Sequence, residues 1–392
     1  MNAEISFLGE TLSLIHIPLS LYSQFLQPIL RILLPPSLET DNSVDHDELD
    51  LDGLTLDQKH GFLNISVTPL ECSIVCHDAW AKKIFEPIIK QLPKDTAKTV
   101  TISKESYLVL RVSSPGMEAG SRVVDLTSPL ALAGIPIFFI TTYYSDFIIV
   151  PSRDRQSVVH ALLSRGFECE EDSNDSFVSP GALSHTRGLS QESDAPPSTP
   201  PPSNVAELQV RTFKLLKKHN VIPNIEPDLR LIHCSGKDVW HVDDYSRPAR
   251  SHSGNGNHHH HRESWVDKVD TKFYTSLILS LVSKPRFLSV TLTAEDEPSL
   301  LLDKRLLDNF GDSLIGPTEA DLTPIFLDLV DLPFEATGIV AGVAGKLVEE
   351  MVMEQNAELS YLSTAKTGAV ILSSEHAEKA LDILIPLLTK QG

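Results

Sequence analysis

The feature that most constrains this chain is an internal repeat. "IPIFFITTYYSDFIIVPSRDRQSVVHALL" (135–163) runs without a gap against "AELSYLSTAKTGAVILSSEHAEKALDILI" (357–385), at a constant offset of 222 residues. Thr142 falls on Thr364, Ile149 on Ile371 and Leu162 on Leu384, and periodicity rather than identity carries the match. Upstream, "YLVLRVSSP" (107–115) parallels "PIFLDLVDLP" (324–333), each an apolar run ending in a proline turn before a helical pattern. The two halves therefore read as copies of one architecture, and a chain of 392 residues is too long for one ordinary core.

Within the first half, alternating runs predict strands over 4–16, 61–67, 71–77, 106–113, 135–141 and 145–151. Helical spacing predicts helices over 21–33, 78–92, 121–134 and 153–166. The order strand, helix, strand, strand, helix occurs twice, as a βαββαβ ferredoxin-like module requires. The second half supplies a less regular module, with "LRLIHCS" and "RFLSVTLT" as strands, and then a clear one from 321 to 390. The expected fold class is thus α+β: tandem ferredoxin-like (βαββαβ) modules, four in two halves. The expected boundaries are a first domain at 1–95, a second at 96–168, a linker at 169–206, a third domain at 207–320 and a fourth at 321–392.

The linker is rich in Ser, Pro, Asp and Glu and poor in large apolar residues, so burial cannot offset its ordering entropy. The stretch 244–264, with a tract from His258 to His261, reads as a disordered insertion in the third domain, and no partner cysteines or carboxylates stand at metal-ligand spacing from that tract. The acidic run 39–58 reads as a solvated loop, because its spacing lacks the terminal glutamate of a calcium-binding EF-hand loop.

A net charge of −20 argues against sequence-independent nucleic-acid binding and against an anionic membrane surface. The four cysteines, Cys72, Cys76, Cys169 and Cys234, form no scaffold-like pattern, which fits a reducing compartment and a cytoplasmic location. The apolar N-terminal run is broken by His16, Pro18, Gln24, Gln27, Pro28 and Arg31, so no transmembrane span is expected.

Catalytic constellations do not emerge: GxSxG, HExxH, P-loop and paired Cys-x-x-Cys patterns are missing from the sequence, and neither a metal nor a cofactor is expected. His16 reads as a packed histidine. Gly338, Gly342 and Gly345 form GxxxGxxG directly after a strand. That spacing departs from a dinucleotide fingerprint. It suits either close approach of backbone to a ligand at a helix start or close packing of a helix on its neighbours. "TTYYSDF" (141–147) sets two adjacent tyrosines at a strand end beside Asp146. At most one ring enters the core, so the stretch reads either as a partner-binding feature or as a polar hairpin turn.

"ISFLGETLSLIHIPLSLYSQFLQPILRILL", "FLNISVTPLECSIVCH", "IPIFFITTYYSDFIIVP" and "ELSYLSTAKTGAVIL" together resemble the CASTOR family, cytosolic arginine sensors of four ACT domains acting upstream of the TOR kinase complex. The resemblance spans both halves in order. It implies that an amino acid binds between the second and fourth ACT domains and that the free form inhibits a GATOR-type regulatory complex. Carried over by position, the ligand pocket falls on Pro136, Ile137, Gly338, Ile339, Ala341, Thr364, Ala365 and Gly368, and the partner surface on Tyr143, Tyr144 and Asp146. The family has a glutamate near Ala341, an aromatic at Ala365 and an aspartate at Gly368. Guanidinium recognition uses carboxylates and aromatic faces, so the resemblance does not carry arginine specificity with it.

The resulting expectation is a non-enzymatic, amino-acid-binding regulator of TOR-pathway signalling that works through ligand-controlled protein–protein contact, possible as a homodimer. A ligand-independent ACT-domain scaffold and a regulatory subunit of an amino-acid biosynthetic enzyme remain open beside it.

Overall fold

A computed structural model describes residues 3–34, 53–54, 59–113, 121–169, 201–237, 270–351 and 358–389. Nearly all of the acidic run, most of the linker and the whole insertion with its histidine tract lie outside them.

The first half contributes β1 (Glu4–Pro18), β2 (Phe62–Val67), β3 (Glu71–His77), β4 (Thr101–Ile102), β5 (Tyr107–Ser113), β6 (Phe138–Thr141), β7 (Asp146–Pro151) and β8 (Glu168–Cys169). The second contributes β9 (Pro223–Asn224), β10 (Leu231–Gly236), β11 (Leu288–Thr293), β12 (Ser299–Asp303), β13 (Leu314–Ile315), β14 (Leu322–Asp328), β15 (Ser360–Ser363) and β16 (Thr367–Ser373). Helices form at Tyr22–Leu33, Arg122–Leu132 and Arg155–Leu163, where 3.6-residue spacing predicts them, the stretch predicted over 78–92 divides into Asp78–Trp80, Ala81–Phe85 and Glu86–Gln91, and the second half adds Val205–Lys218, Thr271–Val282, Ile339–Met351 and Ser374–Leu388. Their starts are capped as the sequence allows: Asn204 accepts from Glu207 N–H, Asp270 from Lys272 and Phe273 N–H, and Ser373 from His376 N–H.

The strands do not form the expected tandem of separate ferredoxin-like sheets. They join in one continuous sheet in the order β10-β12-β11-β2-β3-β1-β5-β7-β6-β15-β16-β14, and Leu231 of β10 pairs with Leu322 of β14, closing an antiparallel twelve-stranded barrel. The cause is edge pairing, which alternation within a strand does not encode. β1 is 15 residues long, enough to pair with β3 through Leu12–Pro18 and with β5 through Glu4–Leu12, so it fuses two would-be modules. The other free edges pair across the halves. β2 meets β11 over six residue pairs from Val67↔Leu288 to Phe62↔Thr293, whereas β6 meets β15 at the single pair Ile140↔Leu362.

Closure explains why several strands read as unbroken apolar runs. Inside the ring pack Leu12, Leu14, Phe62, Val75, Val109, Phe138, Phe147, Ile149, Leu301, Phe326 and Ile371. The opposite faces meet helices. Ile15, Ile65, Ile74, Ile232 and Val290 lie under Tyr22–Leu33 and Thr271–Val282, and Leu110, Phe139, Ile148, Ile325 and Val370 lie under helices that include Arg122–Leu132 and Ile339–Met351. Strands buried on both faces lose the apolar–polar alternation of half-exposed ones. The interior also holds a polar knot at the β2–β11 seam, where Asn64 Nδ2 donates to Ser289 and Thr291 hydroxyls and the Ser66 hydroxyl donates to Asn64 Oδ1.

At the β6–β15 seam, side chains replace missing ladder bonds, and they do so reciprocally. Phe139 N–H donates to Ser363 Oγ at 3.0 Å and Tyr361 N–H donates to Thr141 Oγ1 at 3.0 Å. Each residue stands 222 positions from its counterpart, so the sequence repeat appears here as a local pseudo-two-fold axis.

Candidate functional site

The seam between β6 and β15 carries the cavity around which most of the sequence-derived ligand residues gather. Ile137 and Phe138 form one wall, Tyr361, Ser363, Thr364, Ala365 and Thr367 of the second hairpin form another, and the strap from Leu329 to Val340, with Gly338 and Ile339 at its end, covers them. The enclosed space is about 40 Å³, room for water but not for a free amino acid.

The strap is pinned to the hairpin turn. Leu329 N–H donates to the Lys366 carbonyl at 2.9 Å, Lys366 Nζ donates to the Leu332 carbonyl at 3.0 Å, and the same ammonium lies 4.6 Å from the centroid of the Phe334 ring. Phe334 in turn stands 6.1 Å from Phe138.

From inside the barrel the turn is held by residues of the first half. Glu71 Oε1 accepts from the Thr364 hydroxyl and from Lys366 N–H, both at 2.6 Å, while Oε2 meets His16 Nδ1 at 2.6 Å. Ser73 Oγ accepts from Ala365 N–H at 2.9 Å. Glu71 is buried to 1% exposure, and a buried carboxylate persists only when its oxygens are satisfied, as these are.

Two buried hydroxyls of the cavity wall lack any partner: Tyr361 Oη and Thr367 Oγ1. Burial also pushes the Tyr361 phenol well above the ordinary tyrosine range. Tyr361 stands over Gly368, where a Cβ would come within 2.5 Å of Oη. Gly368 therefore gives the phenol its space and does not line the cavity. Pro136 precedes the cavity wall but is not part of it.

The glycine stripe serves helix packing. A Cβ on Gly342 would come within 2.6 Å of Thr212 Oγ1, and one on Gly338, whose φ is +79°, within 2.5 Å of Leu208 Cδ1. The Thr212 hydroxyl donates to the Gly338 carbonyl at 3.0 Å. Ala341 is buried with Ala131 and Leu208, away from the cavity.

The "TTYYSDF" hairpin turn docks at the other end of the pseudo-two-fold. Tyr143 N–H donates to Ser299 Oγ at 2.8 Å, and the Tyr143 ring meets His233 edge-on at 5.8 Å. This repeats the arrangement of Ala365 on Ser73, with "LIH" at 14–16 and again at 231–233. Tyr144 is 48% exposed, whereas Asp146 is buried and pairs with Arg122 Nε at 2.6 Å. Burial raises the Asp146 carboxyl to about 6 against the opposing pull of Arg122, and burial, reinforced by Arg122, lowers His233 to about 4. Of the three residues expected to meet a partner, Tyr144 alone is exposed, and Asp146 is a structural ion-pair partner.

Sequence reasoning did not single out Glu71, Ser73, Tyr361, Thr367, Phe334 or Lys366. The duplicated "LIH" was the one available signal, since it marks the strand on which each hairpin turn rests. Among the described residues, no group of three or more His, Cys, Asp or Glu side chains could hold a metal ion, and no helix is long and apolar enough to cross a membrane.

Residues 102–164 match the family model of the ACT domain, a span that contains β5, β6, β7, the 122–132 and 155–163 helices and the first wall of the cavity. An ACT domain suggests a regulatory, amino-acid-binding role. No protein of curated function matches the sequence. Similar solved structures include a structural-genomics target from Agrobacterium tumefaciens (18% identity over 43% of this chain and 93% of that one, TM-score 0.27). Aspartate kinase from Synechocystis is another (8% identity over 100% of this chain, TM-score 0.30), and this chain spans 56% of its length. A third is a Vibrio cholerae protein of unknown function described as a possible transport protein (16% identity, 45% of this chain and 94% of that one, TM-score 0.26). These likenesses are too slight to bear on fold or function.

Proposed function

We propose that this chain is a non-enzymatic regulator that binds a free amino acid in the cavity at the β6–β15 seam and changes its protein contacts in response. The observation that carries this reading is the placement of that cavity: one wall lies within the matched ACT domain, and the other belongs to the copy 222 residues on. A ligand there touches both halves, so it favours one arrangement of the seam over another, as regulation requires. The resemblance to the CASTOR family supports a cytoplasmic place in TOR-pathway nutrient signalling, with Tyr144 on the partner-facing side.

Binding requires the strap over 329–340 to lift, because the closed cavity has room for water but not for an amino acid. The test is thermal unfolding of the whole chain against each of the twenty amino acids at millimolar concentration. A ligand at 100 times its Kd stabilises by about 2.7 kcal/mol, and Ala336→Leu, which fills the cavity from the strap, removes the shift. If none of the twenty moves the unfolding midpoint, sensing by this cavity is excluded. The closed cavity favours a second reading, a ligand-independent scaffold, and capture of a TOR-pathway regulatory complex that ignores every amino acid supports it.

A further inference from the structure

We infer that the first half carries a second ligand site, the pseudo-symmetric counterpart of the seam cavity, which takes a guanidinium and which the chain fills with its own Arg122. Its consequence, one exchangeable ligand per chain and not two, rests on the reading of the seam cavity as an amino-acid site. The site itself does not.

The repeat sets the two places against each other residue by residue. In the second half Ser363 pairs with Gly368, and in the first Thr141 pairs with Asp146, each residue 222 positions from its counterpart. Ser363 and Thr141 are also the two side chains that lock the seam reciprocally, so the pairs occupy equivalent positions about the local axis. On the same strand faces stand Tyr361 and Phe139, again 222 residues apart. The helices that pack against each other from the two halves begin at Ile339 and at Arg122.

The two places differ in what fills them. In the second half Ile339 borders the cavity, and Gly368 leaves its space to the Tyr361 hydroxyl. In the first half Phe139 has no hydroxyl, Asp146 replaces the glycine, and Arg122 Nε lies 2.6 Å from Asp146 Oδ2. A side chain that starts at the position of Ile339 and ends beside that of Gly368 spans the space that stays open in the other copy.

The surroundings fix the class of ligand. Asp146 is 2% exposed, and a carboxylate so buried needs a cation beside it. Its Oδ1 has no hydrogen-bond partner among the described residues, so Arg122 does not exhaust the acceptors on offer. Two oxygens of one carboxylate match the planar fork of a guanidinium, whereas an ammonium is a compact, strongly hydrated point charge. The Arg122 side chain is 25% exposed, which leaves the place a route to solvent once that side chain is removed.

Arg122→Ala takes away the built-in ligand, and thermal unfolding of the full chain reads the result. The midpoint should fall, and ethylguanidinium at millimolar concentration should raise it again, at a roughly tenfold lower concentration than ethylammonium requires, while leaving the parent chain unmoved. Arg122→Ile combined with Asp146→Gly copies the second half into the first. This double variant should regain most of the lost midpoint, because apolar groups can replace a buried ion pair at little cost, and it should not respond to ethylguanidinium. An Arg122→Ala chain that gains no more from ethylguanidinium than the parent does overturns the site. Equal rescue by ethylammonium overturns the guanidinium class. If Arg122→Ala does not fold, a folded double variant supports the filled site, and failure of both variants assigns the pair to the core and overturns it. The twenty-amino-acid scan of the parent reads the seam cavity alone, so either proposal can fail without the other.

Discussion

The carboxylate of Glu71 and the hydroxyl of Thr364 lie 2.6 Å apart although 293 residues separate them in the chain. Through that contact, and through Lys366 N–H on the same oxygen, a strand of the first half holds the hairpin turn that walls the cavity in the second. Glu71→Ala leaves His16, Thr364 and the Lys366 amide without their acceptor in a buried place. It should destabilise the chain by about 3 kcal/mol in urea unfolding, because removing one partner of a buried network leaves the others unsatisfied. Glu71→Gln keeps an acceptor oxygen and should cost clearly less. Equal losses in the two variants would mean that the turn does not depend on these bonds.

Gly342→Ala tests the close approach of the 339–351 helix to Thr212. A methyl group there meets Thr212 at 2.6 Å, and the resulting overpacking should cost about 1–3 kcal/mol. Combining it with Thr212→Ala should recover part of the loss. A Gly342→Ala chain as stable as the parent would place the two helices further apart than described.

Asp146 and His233 make opposite contributions to the pH dependence of stability. Asp146, raised to about 6 from 3.8, keeps its proton in the folded state where the unfolded chain has lost it, so its contribution falls as pH rises from about 4 to 6. His233, lowered from 6.5 to about 4, behaves in reverse, and its contribution rises over about 4 to 6.5. Buried His60, also lowered to about 4, adds to the rise. Asp146→Asn removes the opposing contribution, so stability should climb more steeply between pH 4 and 6, by up to about 1.4 kcal/mol per pH unit for one proton. Urea midpoints across that range give the slope, and an unchanged slope would mean that Asp146 titrates normally.

Tyr144→Ala should change stability by no more than about 1 kcal/mol, since about half of the residue is exposed. Any loss of partner capture in that variant then reports the surface itself. Asp146→Ala cannot make the distinction, because it also strands Arg122. Partner capture that survives Tyr144→Ala would move the contact surface elsewhere.

Cys169 is the half-buried thiol of the four, and Cys72, Cys76 and Cys234 are buried. Burial holds Cys72 and Cys76 far above the ordinary thiol range and raises Cys234 to about 12. Native protein treated with a thiol-disulfide reagent should therefore show one accessible thiol, lost in Cys169→Ser, and the remainder only after unfolding. Rapid reaction of two or more native thiols would contradict the packing.

Local structure was legible where side-chain period alone decides it. The runs at 107–113 and 145–151 form strands, and the spacing over 121–134 and 153–166 forms helices. The pairing of Asn64 with Thr291, or of Ile140 with Leu362, was not legible, since nothing in an isolated strand names the edge it will meet. The same gap hid the site. Ile137, Gly338, Ile339, Thr364 and Ala365 border the cavity, but Gly368 and Ala341 are taken up by Tyr361 and Leu208, and Asp146 by Arg122. Glu71 gave no sign because its partners lie in the other half, and Tyr361 reads as an ordinary inward aromatic until its hydroxyl is seen to lack a partner.

The ring has four joints between its hairpin-bearing segments, and they are of unequal strength. β1–β5 and β2–β11 are each stitched by several residue pairs, whereas β10–β14 has one pair and β6–β15 one pair backed by two side-chain bonds. In a closed loop a change of angle at one joint has to be taken up at the others, and the weakly fastened joints yield first. The β10–β14 clasp is one of these lightly laddered joints, and on its β10 strand His233 meets Tyr143. The barrel thus has two fully laddered corners and two lightly laddered ones, and one of the latter lies beside the strand on which Tyr143 rests.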